Sequence, residues 1–304
     1  MMSRPRQFSR EGKLRKRHAL VLAIAVVLGA TTLLATSALA NGGREIQAGP
    51  MKGQVPPKGN SGRGSSPALL YHNGPVMTTG AAVTPIFWGS GWSTDTQSKP
   101  TWLNTFYKGM SNSKYAGTSS EYTQTGGAHV GTFISVNNGL SDLSPTPKRA
   151  PSTTDVLAEV SKMIPSPVSN GYYPVYTDIP RGHAGYCAWH SAGTIGNVTV
   201  QFAFFFDLDN DPGCDPQSGV QTYSQGVAAL ANVSGHELSE ALTDPQLNAW
   251  YDAQGAENAD KCAWTFGHAS LNFGGTQFKV QGNWSNAAYA NHSGYDGAGC
   301  VDGS

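Results

Sequence analysis

Residues 197–206 read NVTVQFAFFF, a ten-residue run of apolar, β-branched and aromatic side chains. Such a run, with little polar alternation, is typical of a strand covered on both faces, so it predicts the centre of a sheet. A helix is predicted directly after it, over residues 224–242, and Pro245 ends that helix.

Shorter strand and helix patterns alternate loosely along the rest of the chain. The strands are predicted at residues 82–88, 129–136, 173–177 and 276–280, and the other helices at 100–110 and 153–164. This alternation predicts a mixed α/β (α+β) fold, a single domain with a mixed central sheet flanked by helices.

The start of the chain has the composition of an export signal. Residues 4–17 are basic, residues 19–34 are apolar, and small residues precede Asn41. We interpret residues 1–40 as a cleaved signal peptide and the chain as secreted, the alternative being an uncleaved N-terminal anchor. Residues 41–66 are rich in Gly, Pro and Ser and predict a flexible linker, which leaves residues 67–304 as the globular domain.

The charge balance changes when the leader is removed. The first 40 residues carry seven of the 20 basic and one of the 20 acidic residues, which leaves 13 basic against 19 acidic, a net charge of −6. An acidic chain is a poor match for nucleic acid, because phosphate binding needs a basic surface. No segment after residue 40 has the length and apolar character of a membrane span.

All four cysteines follow the predicted leader, and an even number in an exported chain indicates two disulfides. Three pairings are possible. We favour Cys187–Cys214 and Cys262–Cys300, because each encloses one compact block of sequence. A four-cysteine zinc site is the alternative, although no two cysteines have the short CxxC spacing of such sites.

The predicted helix over residues 224–242 contains the pattern H-E-x-x-E. His236 and Glu240 are four residues apart and share a helix face, so an imidazole and a carboxylate can reach one ion. Zinc peptidases with H-E-x-x-H use the glutamate after the first histidine as general base, a role that falls here on Glu237. The alternative is an ordinary amphipathic helix whose polar face is solvated.

A third ligand must come from another segment. Glu257 is the predicted ligand, as in a zincin-like arrangement, and Asp260 lies three residues later as a supporting acid or an alternative ligand. Asp244 is a further alternative. The predicted ion is Zn²⁺ or another divalent cation, since a carboxylate in place of an imidazole moves the preference toward harder ions.

Two secondary sites are also predicted. Asp207, Asp209 and Asp211 alternate in DLDNDPG, a spacing used by Ca²⁺ loops, although Pro212 stands where such loops have glycine. The alternative is that these aspartates belong to an ordinary polar turn after the strand.

Isolated histidines and aromatic residues offer weaker signals. His72, His183 and His190 could line a cleft beside Trp189. Trp250 and Tyr251 are either packing residues or a platform for a sugar ring.

Several blocks of the sequence together resemble the phosphate-induced protein 1 family, also called EXORDIUM-like proteins. They are YHNGPV at 71–76, CAWHS at 187–191, the stretch from Ser234 to Cys262, and Cys300. The plant members are secreted or cell-wall proteins linked to growth and nutrient response. The basic leader and Gly/Pro-rich linker depart from the plant pattern and make this chain more similar to a microbial member.

Two functions are therefore expected as alternatives. The resemblance implies an extracellular or wall-associated protein, whose partner would be wall polysaccharide or an extracellular peptide. The helix pattern instead implies a secreted zinc-type, peptidase-like hydrolase with Glu237 as general base.

Overall fold

The computed structural model describes residues 37–39, 44–59, 68–217 and 222–304. The predicted signal peptide lies outside the described residues, except for the three-residue strand Ser37–Leu39. That strand pairs with Glu45–Ala48, so cleavage after Ala40 would remove it from the sheet.

The main sheet is mixed, as predicted. Its strands are β1 (Ser37–Leu39), β2 (Glu45–Ala48), β4 (Ala81–Val83), β5 (Ile86–Trp88), β6 (Ile134–Val136), β7 (Leu140–Asp142), β8 (Gly171–Pro180), β9 (Ala188–Ile195) and β10 (Val198–Asp207). The order is β1-β2-β9-β10-β8-β4-β6, with β5 between β8 and β7. β10 runs parallel to β8 and antiparallel to β9. The predicted central strand is confirmed as β10, whose aromatic residues are buried.

Six short strands form three separate pairs. They are β3 (Leu70–Tyr71) with β11 (Trp250–Tyr251), β12 (Leu271–Phe273) with β13 (Thr276–Phe278), and β14 (Asn283–Trp284) with β15 (Cys300–Val301). The first of these pairs brings the C-terminal part of the chain back toward its start, because β11 meets β3 across about 180 residues of sequence.

Helices flank the sheet. The predicted ones are present as α1 (Lys99–Met110), α3 (Thr153–Met163) and α4 (Gln225–Thr243), and two shorter helices are α2 (Lys114–Gly117) and α5 (Asn286–Ala290). The Ser224 side chain accepts from the backbone N–H of Val227 and fixes the start of α4, since such a cap satisfies an otherwise unpaired amide. α3 and α4 both pack against β8, β9 and β10.

The strand β9 is the main element that sequence patterns missed. Its sequence, AWHSAGTI, mixes apolar and polar residues without clear alternation, yet most of it is buried. The predicted strand 82–88 is split into β4 and β5 by Thr84 and Pro85, and Pro85 has no N–H to donate to a ladder. Of the predicted strand 129–136, only Ile134–Val136 forms.

The prediction of a flexible linker is wrong for residues 44–59. β2 pairs antiparallel with β9, and Ile46 and Val55 are fully buried. The composition misled because this segment is held mainly by backbone hydrogen bonds to β9, which glycine and polar residues form as well as apolar ones. The folded domain therefore includes residues N-terminal to position 67.

Two disulfides join the four cysteines, and the favoured pairing is confirmed. Cys187 is bonded to Cys214, and Cys262 to Cys300. Disulfides are compatible with a secreted protein. Among the described residues, no helix combines the length and the apolar character that crossing a bilayer demands.

Candidate functional site: a buried imidazole–carboxylate cluster

The polar residues of α4 point into the protein rather than into solvent. His236, Glu237 and Glu240 are each 0% exposed. The alternative of a solvated polar face is therefore wrong. Burying a charged carboxylate without a partner costs several kcal/mol, so this cluster needs a compensating interaction.

One group of possible metal ligands forms around His236. Its Nε2 lies 3.0 Å from Oε1 of Glu240 and 3.5 Å from Oδ1 of Asp260. Ligand atoms of these three residues all lie within 4.8 Å of one another. Asp260 stands on a short 3₁₀ helix, Asp260–Cys262, and its backbone N–H donates to Glu240 Oε1 at 2.8 Å. The returning chain thus brings Asp260, rather than Glu257, to the His236–Glu240 pair.

A second group forms around His190 of β9. His190 Nε2 lies 3.0 Å from Glu257 Oε2 and 3.5 Å from Glu240 Oε2. Possible ligand atoms of His190, Glu237 and Glu240 also lie within 4.8 Å of one another. Glu240 therefore belongs to both groups, with one carboxylate oxygen toward each imidazole. The sequence offered His190 only as one of three cleft histidines, and its signal was the CAWHS block.

Several oxygens of the cluster have no hydrogen-bond partner. They are both carboxylate oxygens of Glu237, Oε2 of Glu240, Oε1 of Glu257 and Oδ2 of Asp244. Native proteins leave few buried polar groups unpaired, and each carries the full cost of its desolvation. Unpaired carboxylate oxygens beside two imidazoles are suitable ligands for a divalent cation, and a bound cation would offset the cost of burying them.

The electrostatics of the cluster point the same way. Burial raises the pKa of Glu237 and of Glu257 well above the ordinary range, and it also raises the pKa of Glu240. Burial lowers the pKa of His190. Burial opposes the charge on His236 as well, but the carboxylates of Glu240 and Asp260 outweigh it and raise that pKa. The carboxylates therefore resist ionisation unless a positive charge lies among them.

Gln281 contacts Nδ1 of His236. The amide nitrogen of Gln281 lies 2.9 Å from His236 Nδ1 and 2.9 Å from the carbonyl oxygen of Ala259. If the imidazole is neutral, Nδ1 accepts from this amide and the single ring proton lies on Nε2, on the side of Glu240. Coordination through Nε2 would move that proton to Nδ1 and would require the Gln281 amide to turn.

Asp244 has a structural role. Its Oδ1 accepts from the backbone N–H groups of Asn248 and Ala249, each at 2.6 Å, and so shapes the turn after α4. Its other oxygen is one of the unpaired atoms named above. Asp244 therefore borders the cluster but belongs to neither three-residue group.

The predicted calcium loop is not formed. Lys99 Nζ lies 3.1 Å from Asp207 Oδ1 and 2.7 Å from Asp209 Oδ2, while Asp211 binds Arg181. The buried ammonium of Lys99 therefore stands where the sequence predicted a calcium ion. The alternate spacing of the aspartates does not show whether they bind Ca²⁺ or a lysine ammonium. The lysine comes from α1, more than 100 residues earlier in the chain.

Removal of the Lys99 ammonium should destabilise the protein. We expect Lys99→Met to lower the free energy of unfolding by about 2–3 kcal/mol, somewhat less than the ~3–5 kcal/mol of a fully buried pair, because Asp207 and Asp209 are partly exposed. Urea unfolding measures this loss. Lys108→Met, at an exposed position of the same helix, is the control and should change little. Stabilisation of Lys99→Met by millimolar Ca²⁺ would show that the loop can bind the ion once the ammonium is gone.

The other predicted residues lie outside the cluster. His72 stacks on Tyr251 at a centroid distance of 3.6 Å, and His183 is exposed. The Trp250 ring packs against Tyr71 and Tyr122, and its N–H donates to the carbonyl oxygen of Thr123. These are the contacts of a packing residue.

Comparisons of the chain with family models, with curated proteins and with solved structures each gave no match.

Proposed function

We propose that the protein is a metal-dependent hydrolase that cleaves peptides. The carrying observation is the fully buried H-E-x-x-E helix whose carboxylates have unpaired oxygens facing two imidazoles. His236, Glu240 and Asp260 would hold a divalent ion, and Zn²⁺ fits a site with an imidazole and two carboxylates. This arrangement resembles a zincin site in the order of its residues along α4.

The argument for a metal compares the carboxylates of the cluster with acidic residues elsewhere in the protein. Several other buried or partly buried acids have cationic partners, such as Asp252 with Lys261 and Asp142 with Lys162. The ion-pair partners that the described structure shows for Glu240 and Glu257 are imidazoles. A neutral imidazole binds a metal through its unprotonated nitrogen, so coordination through Nε2 of His236 would place the ring proton on Nδ1 and disturb the contact between Nδ1 and the Gln281 amide.

Glu237 is the residue placed to move the proton in hydrolysis. It follows His236 on α4, and both of its oxygens are unpaired. Burial raises its pKa, so Glu237 would accept a proton more readily than an exposed glutamate once a bound cation favours its ionised form. It would take a proton from water as the oxygen adds to the peptide carbonyl, and would pass that proton to the departing amine. The bound ion would supply acidification of the water and polarisation of the carbonyl.

His190 is the second group that can act on a substrate. It projects from β9 toward Glu240 and Glu257, and its lowered pKa keeps it neutral near pH 7. A neutral imidazole bearing a proton can donate a hydrogen bond to the oxygen on which negative charge develops. Because Nε2 of His190 lies 3.0 Å from Glu257 Oε2, donation to the substrate oxygen would replace that contact, and Glu257 would accept from His190 in the free protein rather than bind the ion.

The experiment that tests the metal site measures both the amount of bound ion and the protonation of the His236 ring. Chelated protein is titrated with Zn²⁺, and bound zinc is counted after dialysis while ¹⁵N NMR reports the imidazole. We expect one ion per chain and loss of the Nε2–H signal of His236, with the remaining ring proton on Nδ1. His236→Gln identifies the signal. Retention of the Nε2–H signal at saturating zinc would remove His236 from the ligand set, and absence of bound zinc, Mn²⁺ or Ca²⁺ would end the hydrolase proposal.

We propose in addition that the protein acts outside the cell. The basic and apolar start of the chain and the two disulfides support export. The resemblance to EXORDIUM-like proteins supports a wall-associated location, where either a peptide or a polysaccharide could be the partner. The buried α4 cluster favours the peptide.

A further inference from the structure

Residues 49–56, which we call the strap, continue from β2 and run antiparallel along the edge of β9 that lies opposite β10. The backbone bonds are those of an added strand: Gly49 N–H to Ala192 O at 2.7 Å, Lys52 N–H to His190 O at 2.9 Å, and His190 N–H to Lys52 O at 3.1 Å. Cys187 N–H then donates to Val55 O at 2.7 Å. The strap therefore uses the edge of the sheet as an extended peptide ligand would.

The strap passes directly over the imidazole–carboxylate cluster. Gly53 is buried, and its φ of +51° lies in the left-handed region. A Cβ added at Gly53 would overlap Oε2 of Glu240 and Cδ2 of His190, and would lie 2.8 Å from Nε2 of His190. Only a glycine lets the backbone approach the cluster this closely.

Coverage by the strap helps to explain why the cluster is fully buried. A hydrolase must admit water and substrate, yet Glu237, Glu240 and His190 are no more than 1% exposed. The side-chain oxygen of Ser191 also donates to the carbonyl oxygen of Pro50, and the Trp264 indole donates to that of Pro56. Contacts on both sides of Gly53 thus hold the backbone in place over the cluster.

We propose that the strap occupies the substrate cleft, and that the substrate is an extended peptide that pairs with β9 in the same way. This inference rests on the proposed function, and it adds the substrate class and the reason why the protein is inactive while the strap is bound. Because β9 offers backbone groups along the whole pairing, part of the recognition is independent of sequence, whereas the position over Glu240 requires glycine.

Two side chains of the strap add preferences. Val55 is fully buried, whereas Gln54 is exposed. Lys52 Nζ lies 4.8 Å from the centre of the Tyr251 ring. A matching substrate therefore presents an aliphatic side chain two residues after the position that lies over Glu240, and a basic residue one position before it.

The strap can be released without breaking a disulfide. Both disulfides join residues beyond position 186, so the covalent link from the strap to the remainder of the domain is the chain after residue 56. A cut between residues 59 and 68 would leave the strap attached by non-covalent contacts alone. Its occupancy would then depend on its concentration and on competing peptides.

A glycine substitution tests the blockade in the full chain. Gly53→Ala should lift the strap from the cluster, because the buried Glu240 carboxylate cannot yield to the new Cβ. With zinc present, we expect hydrolysis of a labelled peptide built on the sequence MKGQVPP to rise about tenfold, as the open form becomes populated. Gly59→Ala is the matched control, since Gly59 also has a positive φ but no atom lies within 4 Å of its added Cβ. Equal rates for the two variants, if both are folded and active, would overturn the inference.

A binding measurement decides the inference even if no hydrolysis occurs. A specific protease site is inserted between residues 59 and 68, the folded protein is cut, and a fluorescent peptide of residues 44–59 is added. We expect saturable binding that Val55→Asp in the peptide weakens at least about tenfold, while Gln54→Asp leaves it unchanged. Binding without metal uptake would retain the peptide cleft and reject the hydrolase. Metal uptake without binding by the labelled peptide, in protein shown to have lost its own strap, would reject the cleft and retain the metal site.

Discussion

Replacement of Glu237 by glutamine is expected to abolish peptide hydrolysis while leaving the metal in place. Glutamine keeps the shape of the side chain but cannot accept the proton of water, and loss of a general base costs about 10²–10⁴-fold in rate. The measurement is kcat for a labelled peptide, with strap-released protein used to give access. Zinc content should stay at one ion per chain, because His236, Glu240 and Asp260 remain.

Glu159→Gln is the control for this substitution. Glu159 is also a buried glutamate on a helix, but it lies on α3 beside Lys162 and Asp142. Its loss should leave kcat within about twofold, a change of less than ~0.5 kcal/mol in the barrier. If Glu237→Gln retained full activity, Glu237 would not be the base, and His190 would be the next candidate for that role.

Zinc is expected to stabilise the protein strongly, and this effect should depend on Glu240. A ligand that binds only the folded state at a thousand times its Kd adds about 4 kcal/mol to the free energy of unfolding. Glu240 has an oxygen toward each imidazole, so its carboxylate takes part in both possible ligand groups. Glu240→Gln should therefore remove most of the difference in melting temperature between zinc-loaded and chelated protein.

The comparison is made within each variant, with and without zinc, so the effect of the substitution itself on folding cancels. Glu159→Gln serves again as control and should keep the full zinc-dependent shift. The zinc-dependent shift should also shrink as the pH falls, because protons compete for the ligand atoms. An unchanged shift in Glu240→Gln would place the stabilising ion elsewhere in the protein.

The sequence was most informative where a local pattern was long. The run at 197–206 became the central strand β10, and the helix after it became α4. Both sequence patterns were strong signals, because many consecutive residues share one environment. Of the three possible cysteine pairings, the favoured one is confirmed, and its bridges join cysteines 27 and 38 residues apart.

Predictions that depended on the path of the chain were weaker. β9 has no clean period, because side chains on both of its faces are buried and the polar His190 and Ser191 are among them. Residues 44–59 have the composition of a linker but contribute a strand and the strap. Their stability comes largely from a neighbouring edge, which composition does not report.

The sequence by itself determined that His236, Glu237 and Glu240 lie within one turn or so of a single helix, since the helical period alone fixes that spacing. Only the tertiary structure decided which groups meet them: His190 from β9, Asp260 from the returning chain, and Gly53 laid across the top. It also assigned Asp207 and Asp209 to Lys99 rather than to calcium. The physical reason is that charges respond to distance in space, and segments far apart in sequence become neighbours only when the sheet and helices pack.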